Sequence, residues 1–122
     1  MPGQGYRCEV FGEVSLGAAH ITGDLDCTSA RLSNPTGRAL HCEDLVVESV
    51  FLARDSPEMP FEACGRLNFL SATVGGSFFM INALLCPGPD YTGLLGRGGP
   101  VAVNLQQIRV SNATVLFGIS AL

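Results

Sequence analysis

Apolar residues recur along this chain in doublets, two apolar positions separated by a single residue. Cys8 and Val10, Val14 and Leu16, Ala19 and Ile21, Leu25 and Cys27, and Ala30 and Leu32 open the series. Fifty-three residues later the spacing returns as Phe61 and Ala63, Leu67 and Phe69, Ala72 and Val74, Phe78 and Met80, and Ala83 and Leu85. A second series runs Leu40, Cys42, Leu45, Val47, Val50 and Leu52. It reappears sixty-three residues on as Val103, Leu105, Ile108, Val110, Ala113 and Val115. Successive strand residues point to opposite faces. Each doublet is therefore a minimal strand whose ends face a core and whose middle residue faces out.

The joints between doublets are two or three residues long. Three-residue joints carry a central glycine, at Gly12, Gly23, Gly65 and Gly76, which is expected to supply unusual backbone angles at a wider corner. Two-residue joints are mostly small or polar: Thr28-Ser29, Glu43-Asp44 and Gln106-Gln107. Eight doublets fill the 53-residue unit. Four sides per turn then give about four coils, stacked at roughly 4.8 Å, the spacing of paired strands. The pattern predicts an all-β, four-sided parallel β-solenoid in one domain, residues 1–122. Its coils fall at roughly 8–28, 29–53, 61–81 and 82–116, with loops at 33–39, 53–60 and 86–99.

Two other folds share parts of this pattern. An eleven-residue period also suits a right-handed helical coiled coil. Strand spacing and a glycine in every repeat argue against it. A β-sandwich alternates too, but without two-residue strands at such regular intervals.

Four sides predict which outward residues align. Side one carries Glu9, Arg31, Glu62 and Leu84; side two Ser15, His41, Asn68 and Asn104. Side three carries His20, Val46, Thr73 and Arg109; side four Asp26, Phe51, Phe79 and Thr114. Phe51 and Phe79 then stack outward on adjacent coils. An outward apolar patch marks a partner surface. The candidate interaction residues are Phe51, Phe79, Val46 and Leu84. The opposing reading is that a loop, 53–60 or 86–99, folds over the two rings.

The Ala-x-Leu/Ile doublets in five-residue steps are Ala19-His-Ile21, Ala30-Arg-Leu32, Ala72-Thr-Val74 and Ala83-Leu-Leu85. They resemble the pentapeptide-repeat solenoids, and that resemblance implies a right-handed coil. The stretch from Gly23 to Leu40 is closer to a group of actinobacterial solenoid proteins that commonly carry the label membrane-associated oxidoreductase. The likeness covers roughly residues 8–115. The three-residue corners and the loops depart from strict pentapeptides.

Composition narrows the function. Apolar residues make up 47% and charged residues 15%, so a core is affordable and disorder is excluded. Net charge is -4, which argues against general nucleic-acid binding. All seven basic residues are arginine, a trace of codon bias rather than of physics. No signal-peptide pattern is visible in the first ten residues, and no apolar run approaches a membrane span. A cytoplasmic location is the expectation.

Chemistry is sparse. The five cysteines, Cys8, Cys27, Cys42, Cys64 and Cys86, form no C-x-x-C pair. Cys8, Cys27 and Cys42 fill inward slots and act as small hydrophobes. Cys64, in a corner, and Cys86, opening a loop, are the candidate reactive thiols. His20 and His41 fall on different sides, which excludes a shared metal or triad. Asp24 falls in a corner and Asp26 on a side. Gly93-Leu-Leu-Gly-Arg-Gly-Gly-Pro100 matches neither nucleotide-binding fingerprint, and a strand pattern follows it. Asn112-Ala-Thr114 is a glycosylation sequon, relevant only after secretion. No catalytic residue, cofactor or metal site is expected.

The reading that follows is a non-catalytic scaffold or protein-interaction module. One alternative is a part of a protein with the oxidoreductase label, which the resemblance implies. Another is an acidic nucleic-acid mimic, for which the net charge speaks. The apolar tail Val115-Leu-Phe-Gly-Ile-Ser-Ala-Leu122 carries no polar cap, and Met1 to Tyr6 is likewise a poor one. Open strand edges self-associate. The expectation is either association through the solenoid ends or the Phe51/Phe79 side, or a piece of a longer solenoid.

Overall fold

The computed structural model describes residues 8–54, 58–86, 95–96 and 103–121. Met1 to Tyr6, residues 55–57 and 87–94, and most of the glycine-rich stretch 93–100 lie outside the described residues. Among the described residues the chain is all-β, with fifteen strands and no helix.

Every strand pairing is parallel, and the strands form three sheets. The largest runs Glu9–Phe11, Arg31–His41, Glu62–Asn68, Leu84–Cys86 and Ser120–Ala121 in spatial order. Val14–Ser15 joins it beside Arg31–His41, and Val103–Asn104 beside Glu62–Asn68. A second sheet orders Val46–Val47, Thr73–Val74 and Arg109–Val110. A third orders Leu25–Asp26, Val50–Leu52, Phe78–Ile81 and Thr114–Phe117.

The register follows the doublets. Glu9, Arg31, Glu62 and Leu84 are successive partners, continued by Ser120. Ser15, His41, Asn68 and Asn104 form a second column. His20, Val46, Thr73 and Arg109 form a third. Asp26, Phe51 and Phe79 form a fourth. There the expected Thr114 is replaced: Val115 pairs with Phe79, and Thr114 with Phe78. The cause is the preceding corner. Ser111-Asn112-Ala113 takes three residues, as Gly75-Gly76-Ser77 does one row below, so Ala113 belongs to the corner and not to a strand.

Two segments expected as loops contain strand. Residues 33–39 lie inside the single strand Arg31–His41, whose register against Glu62–Asn68 shifts twice. Between Ser33 and Arg38 the extra residues bulge around Gly65, and Asn34 Nδ2 closes the bulge by donating to the Arg38 carbonyl at 2.8 Å. Within 86–99, Leu95–Gly96 pairs in parallel with Val103–Asn104.

The inward residues make one core. Leu40, Leu45, Val50, Leu52, Phe61, Leu67, Phe69, Val74, Phe78, Met80 and Leu85 are at most 1% exposed. Phe69 and Phe78 meet edge to face at 5.1 Å. Each such side chain contributes roughly 1.5–3 kcal/mol by leaving water. The first row (Val10, Val14, Leu16, Ala19, Ile21, Leu25 and Cys27) packs against this core while only partly buried. Leu105, Ile108, Val110 and Ile119 do the same at the other end.

The corners differ from the sequence expectation. Six two-residue joints place their second residue at positive φ: Ala18, Ser29, Asp44, Ser71, Asn82 and Gln107, with φ between 54° and 60°. Five of these turns close with a backbone bond across the joint, such as Ala30 N–H to the Cys27 carbonyl at 3.0 Å. Where the preceding outward residue is Asp or Asn, its side chain caps the turn. Asp26 accepts from Thr28 N–H at 2.9 Å, Asn68 from Leu70 N–H at 3.0 Å, and Asn104 from Gln106 N–H at 2.9 Å. Of the four joint glycines, Gly12 and Gly65 have positive φ, whereas Gly23 and Gly76 do not. Gly76 is required by crowding instead, since a Cβ there would stand 2.5 Å from Ser49 Oγ.

Candidate interaction surface

Phe51 and Phe79 stack with ring centroids 5.1 Å apart and planes 14° apart. Strand alternation turns both rings away from the core, between buried neighbours: Val50 and Leu52 flank one, Phe78 and Met80 the other. Both are half-buried. The ladder continues outward to Val115, which pairs with Phe79, and starts from the exposed Asp26. The structure does not join the other two candidate residues to this strip. Val46, 38% exposed, lies in the sheet of Thr73 and Arg109. Leu84 lies in the largest sheet, between Glu62 and Ser120.

Among the described residues the most exposed large hydrophobic side chains are Phe11 at 79%, which the sequence reading missed, and Phe117 at 66%, which it noted only as part of the apolar tail. Neither belongs to a doublet, and each ends a strand in an outermost row. Those rows share another property. Glu9–Phe11, Val14–Ser15 and Leu25–Asp26 each pair with one neighbour only among the described strands. So do Arg109–Val110, Thr114–Phe117 and Ser120–Ala121 at the far end. Among the described residues, both end rows therefore present parallel strand edges over partly buried apolar side chains, with Leu95–Gly96 covering only Val103–Asn104 at the far end.

Elsewhere the outward columns are mostly polar, and several of their side chains are paired. Arg31 sits between Glu9 and Glu62, at 3.4 and 3.5 Å. Arg38 pairs with Glu13 at 3.4 Å. His41 Nδ1 lies 3.1 Å from Arg38 Nη1 and 3.3 Å from Asn68 Nδ2. Both neighbours are donors, so this nitrogen is placed to accept. His20 is exposed and belongs to another column. Asn112 is exposed, with Nδ2 donating to Ser77 Oγ at 2.9 Å. An open groove of about 640 Å³ is lined by Ser71, Thr73, Gln107, Ile108 and Arg109. It holds one cation and no nucleophile paired with a base, so its chemistry is that of a polar surface.

The thiols divide by position. Cys42 is buried, and desolvation first, then Cys27, pushes its pKa up to about 12. Cys27 is pushed up to about 11 by burial, with Asp26 and Cys8 adding to it. Cys64 and Cys86, which the sequence places in a corner and a loop, are in-register partners on adjacent strands. No described helix is long and apolar enough to cross a membrane.

No protein-family model, curated protein or solved structure matches this chain.

Proposed function

We propose that this chain is a non-catalytic protein-interaction module of the cytoplasm, built as a four-sided, right-handed parallel β-solenoid of about four coils. Four columns of in-register partners and the recurring turn between them support the solenoid. The handedness rests on the resemblance to pentapeptide repeats.

The observation that carries the function is the pair of open ends. Among the described residues, each presents parallel strands bonded on one side only, above apolar residues that the inner rows bury and these rows leave only partly buried. An edge of this kind is a template for another strand. Its occupant is the opposite edge of a second copy, which brings both the missing backbone partners and a matching apolar row. The contact is head to tail, so it extends rather than closes. The Phe51–Phe79 strip is a second, lateral surface.

Light scattering after size-exclusion chromatography, over a range of concentrations, tests this reading. Oligomers that grow with concentration are expected. Leu16→Lys should abolish them without unfolding the chain, because a lysine in the end row lays its stem over the core and reaches water with its ammonium. A monomer at every concentration overturns the reading. Association that survives Leu16→Lys but is lost in Phe51→Ser places the contact on the lateral strip and overturns the end-on version.

A further inference from the structure

We propose that Cys64 and Cys86 form a redox-sensitive pair that closes to a disulfide between adjacent strands. The two residues are direct partners in the parallel ladder that also pairs Glu62 with Leu84 and Ala63 with Leu85. Partners in such a ladder are one strand spacing apart, about 4.8 Å, inside the Cα range that a disulfide spans. Both side chains alternate outward, since Ala63 and Leu85 before them are buried, and both are half-buried. The two thiols thus face outward side by side on adjacent strands. Only a small approach of the two strands is needed for the sulfurs to meet.

The geometry also sets the character of the bond. In-register parallel strands keep their Cα–Cβ vectors parallel, so the two Cβ atoms stay about as far apart as the Cα atoms. That separation lies at or beyond the upper end of the usual Cβ range for a disulfide. The bond is accordingly strained and easily reduced, the mark of a regulatory rather than a structural disulfide. Arg31, whose charge favours the Cys64 thiolate, is held 3.5 Å from Glu62, whose charge opposes it. Burial and the contact with Cys86 push the Cys64 thiol up to about 11. Because its thiolate is disfavoured, Cys64 is assigned the resolving step of the proposed reaction and Cys86 the first attack.

The oxidant is a low-molecular-weight disulfide. The Cys86 thiolate attacks one of its sulfurs and expels one small thiolate, leaving a mixed disulfide on Cys86. Cys64 gives up its proton and attacks the Cys86 sulfur, and the second small thiolate leaves. Two protein thiols are oxidised to one disulfide, the reagent is reduced to two small thiols, and the two protons pass to them.

The test is to incubate the folded chain with glutathione disulfide, count the thiols under denaturing conditions, and map cross-links by mass spectrometry of the digest. The expected result is a fall from five titratable thiols to three, with the loss at Cys64 and Cys86. Cys64→Ser should leave Cys86 carrying a stable glutathione adduct. Circular dichroism of this variant checks that the strands are intact. The same treatment in urea should not favour this pair over the other thiols. Five intact thiols, a cross-link between other cysteines, or two separate glutathione adducts on Cys64 and Cys86 would overturn the proposal.

Discussion

Gly65 lies against the backbone of Asn34: a methyl group on Gly65 would stand 2.5 Å from the Asn34 carbonyl oxygen and 3.1 Å from the Ala39 nitrogen. Its φ of 120° adds a second obstacle, because side chains rarely adopt it. Gly65→Ala should therefore cost about 2–4 kcal/mol in urea unfolding. Gly23 occupies an equivalent joint, yet a Cβ there meets nothing within 4 Å and its φ is ordinary. Gly23→Ala should be neutral or stabilise by up to about 1 kcal/mol. Equal effects at the two sites would show that the bulge over Gly65 is not rigid.

Ala18 gives the opposite sign. It sits at φ 57° with only a methyl group to hold it there, whereas Asn and Asp tolerate this region through local hydrogen bonds. Ala18→Gly removes a penalty of about 1–2 kcal/mol and adds about 0.5–1 kcal/mol of backbone entropy cost. A small net gain in the urea midpoint is expected.

Burial predicts a gradient across the rows. Phe78→Ala, in the fully buried middle, should cost about 3–5 kcal/mol. Val10→Ala, in the half-buried first row, removes less contact and should cost no more than about 1 kcal/mol. Comparable losses would mean that the ends are covered as well as the centre.

Alkaline pH should unfold the chain through its buried thiols. Their folded pKa values, about 11 for Cys27 and about 12 for Cys42, lie above that of a free thiol, about 8.5. Between these limits the unfolded chain loses protons that the folded chain keeps. Stability is full below about 8.5 and falls as pH rises toward 11 and 12. Each thiol contributes a slope of up to about 1.4 kcal/mol per pH unit. Urea titrations at successive pH values should show the fall, and Cys42→Ala should reduce its slope. An unchanged slope would assign it to other groups.

Much of the fold is written in the doublets. Because the side-chain period is two, the spacing alone identifies the residue facing out. Glu9 above Arg31 and Phe51 above Phe79 follow from aligning equal doublets. The alignment fails at Ala113, where a small apolar residue in a glycine-free corner imitates a strand position, and Val115 rather than Thr114 then meets Phe79. The bulge in Arg31–His41 was hidden because Asn34-Pro35-Thr36-Gly37 carries turn residues with no apolar rhythm. Positive φ at Ala18 and Gln107 was illegible because neither residue type signals it; the turn geometry of the stacked rows imposes it.

The candidate surface was only partly legible for a related reason. Phe51 and Phe79 occupy equal positions in successive doublets, so their stacking follows from the repeat. Cys64 lies within Glu62–Asn68 and Cys86 ends Leu84–Cys86, and the different residues that follow them in sequence disguised their equivalence. Phe11 and Phe117 lie outside the repeat, so periodicity had nothing to say about them.

Among the described residues the three fully buried aromatic rings, Phe61, Phe69 and Phe78, fall within twenty residues of one another, in or next to strands flanked by partners on both sides. That concentration gives the molecule a nucleus. Segment 61–85 can gather its rings through short-range closures, whereas the described pairings between rows, Leu95–Gly96 with Val103–Asn104 apart, span a longer stretch of chain. Folding is then an accretion that proceeds outward in both directions from this segment, and unfolding peels back the same way. The slowest-exchanging amides belong to residues 61–85, and the outermost strands open first, even under conditions in which the centre stays closed.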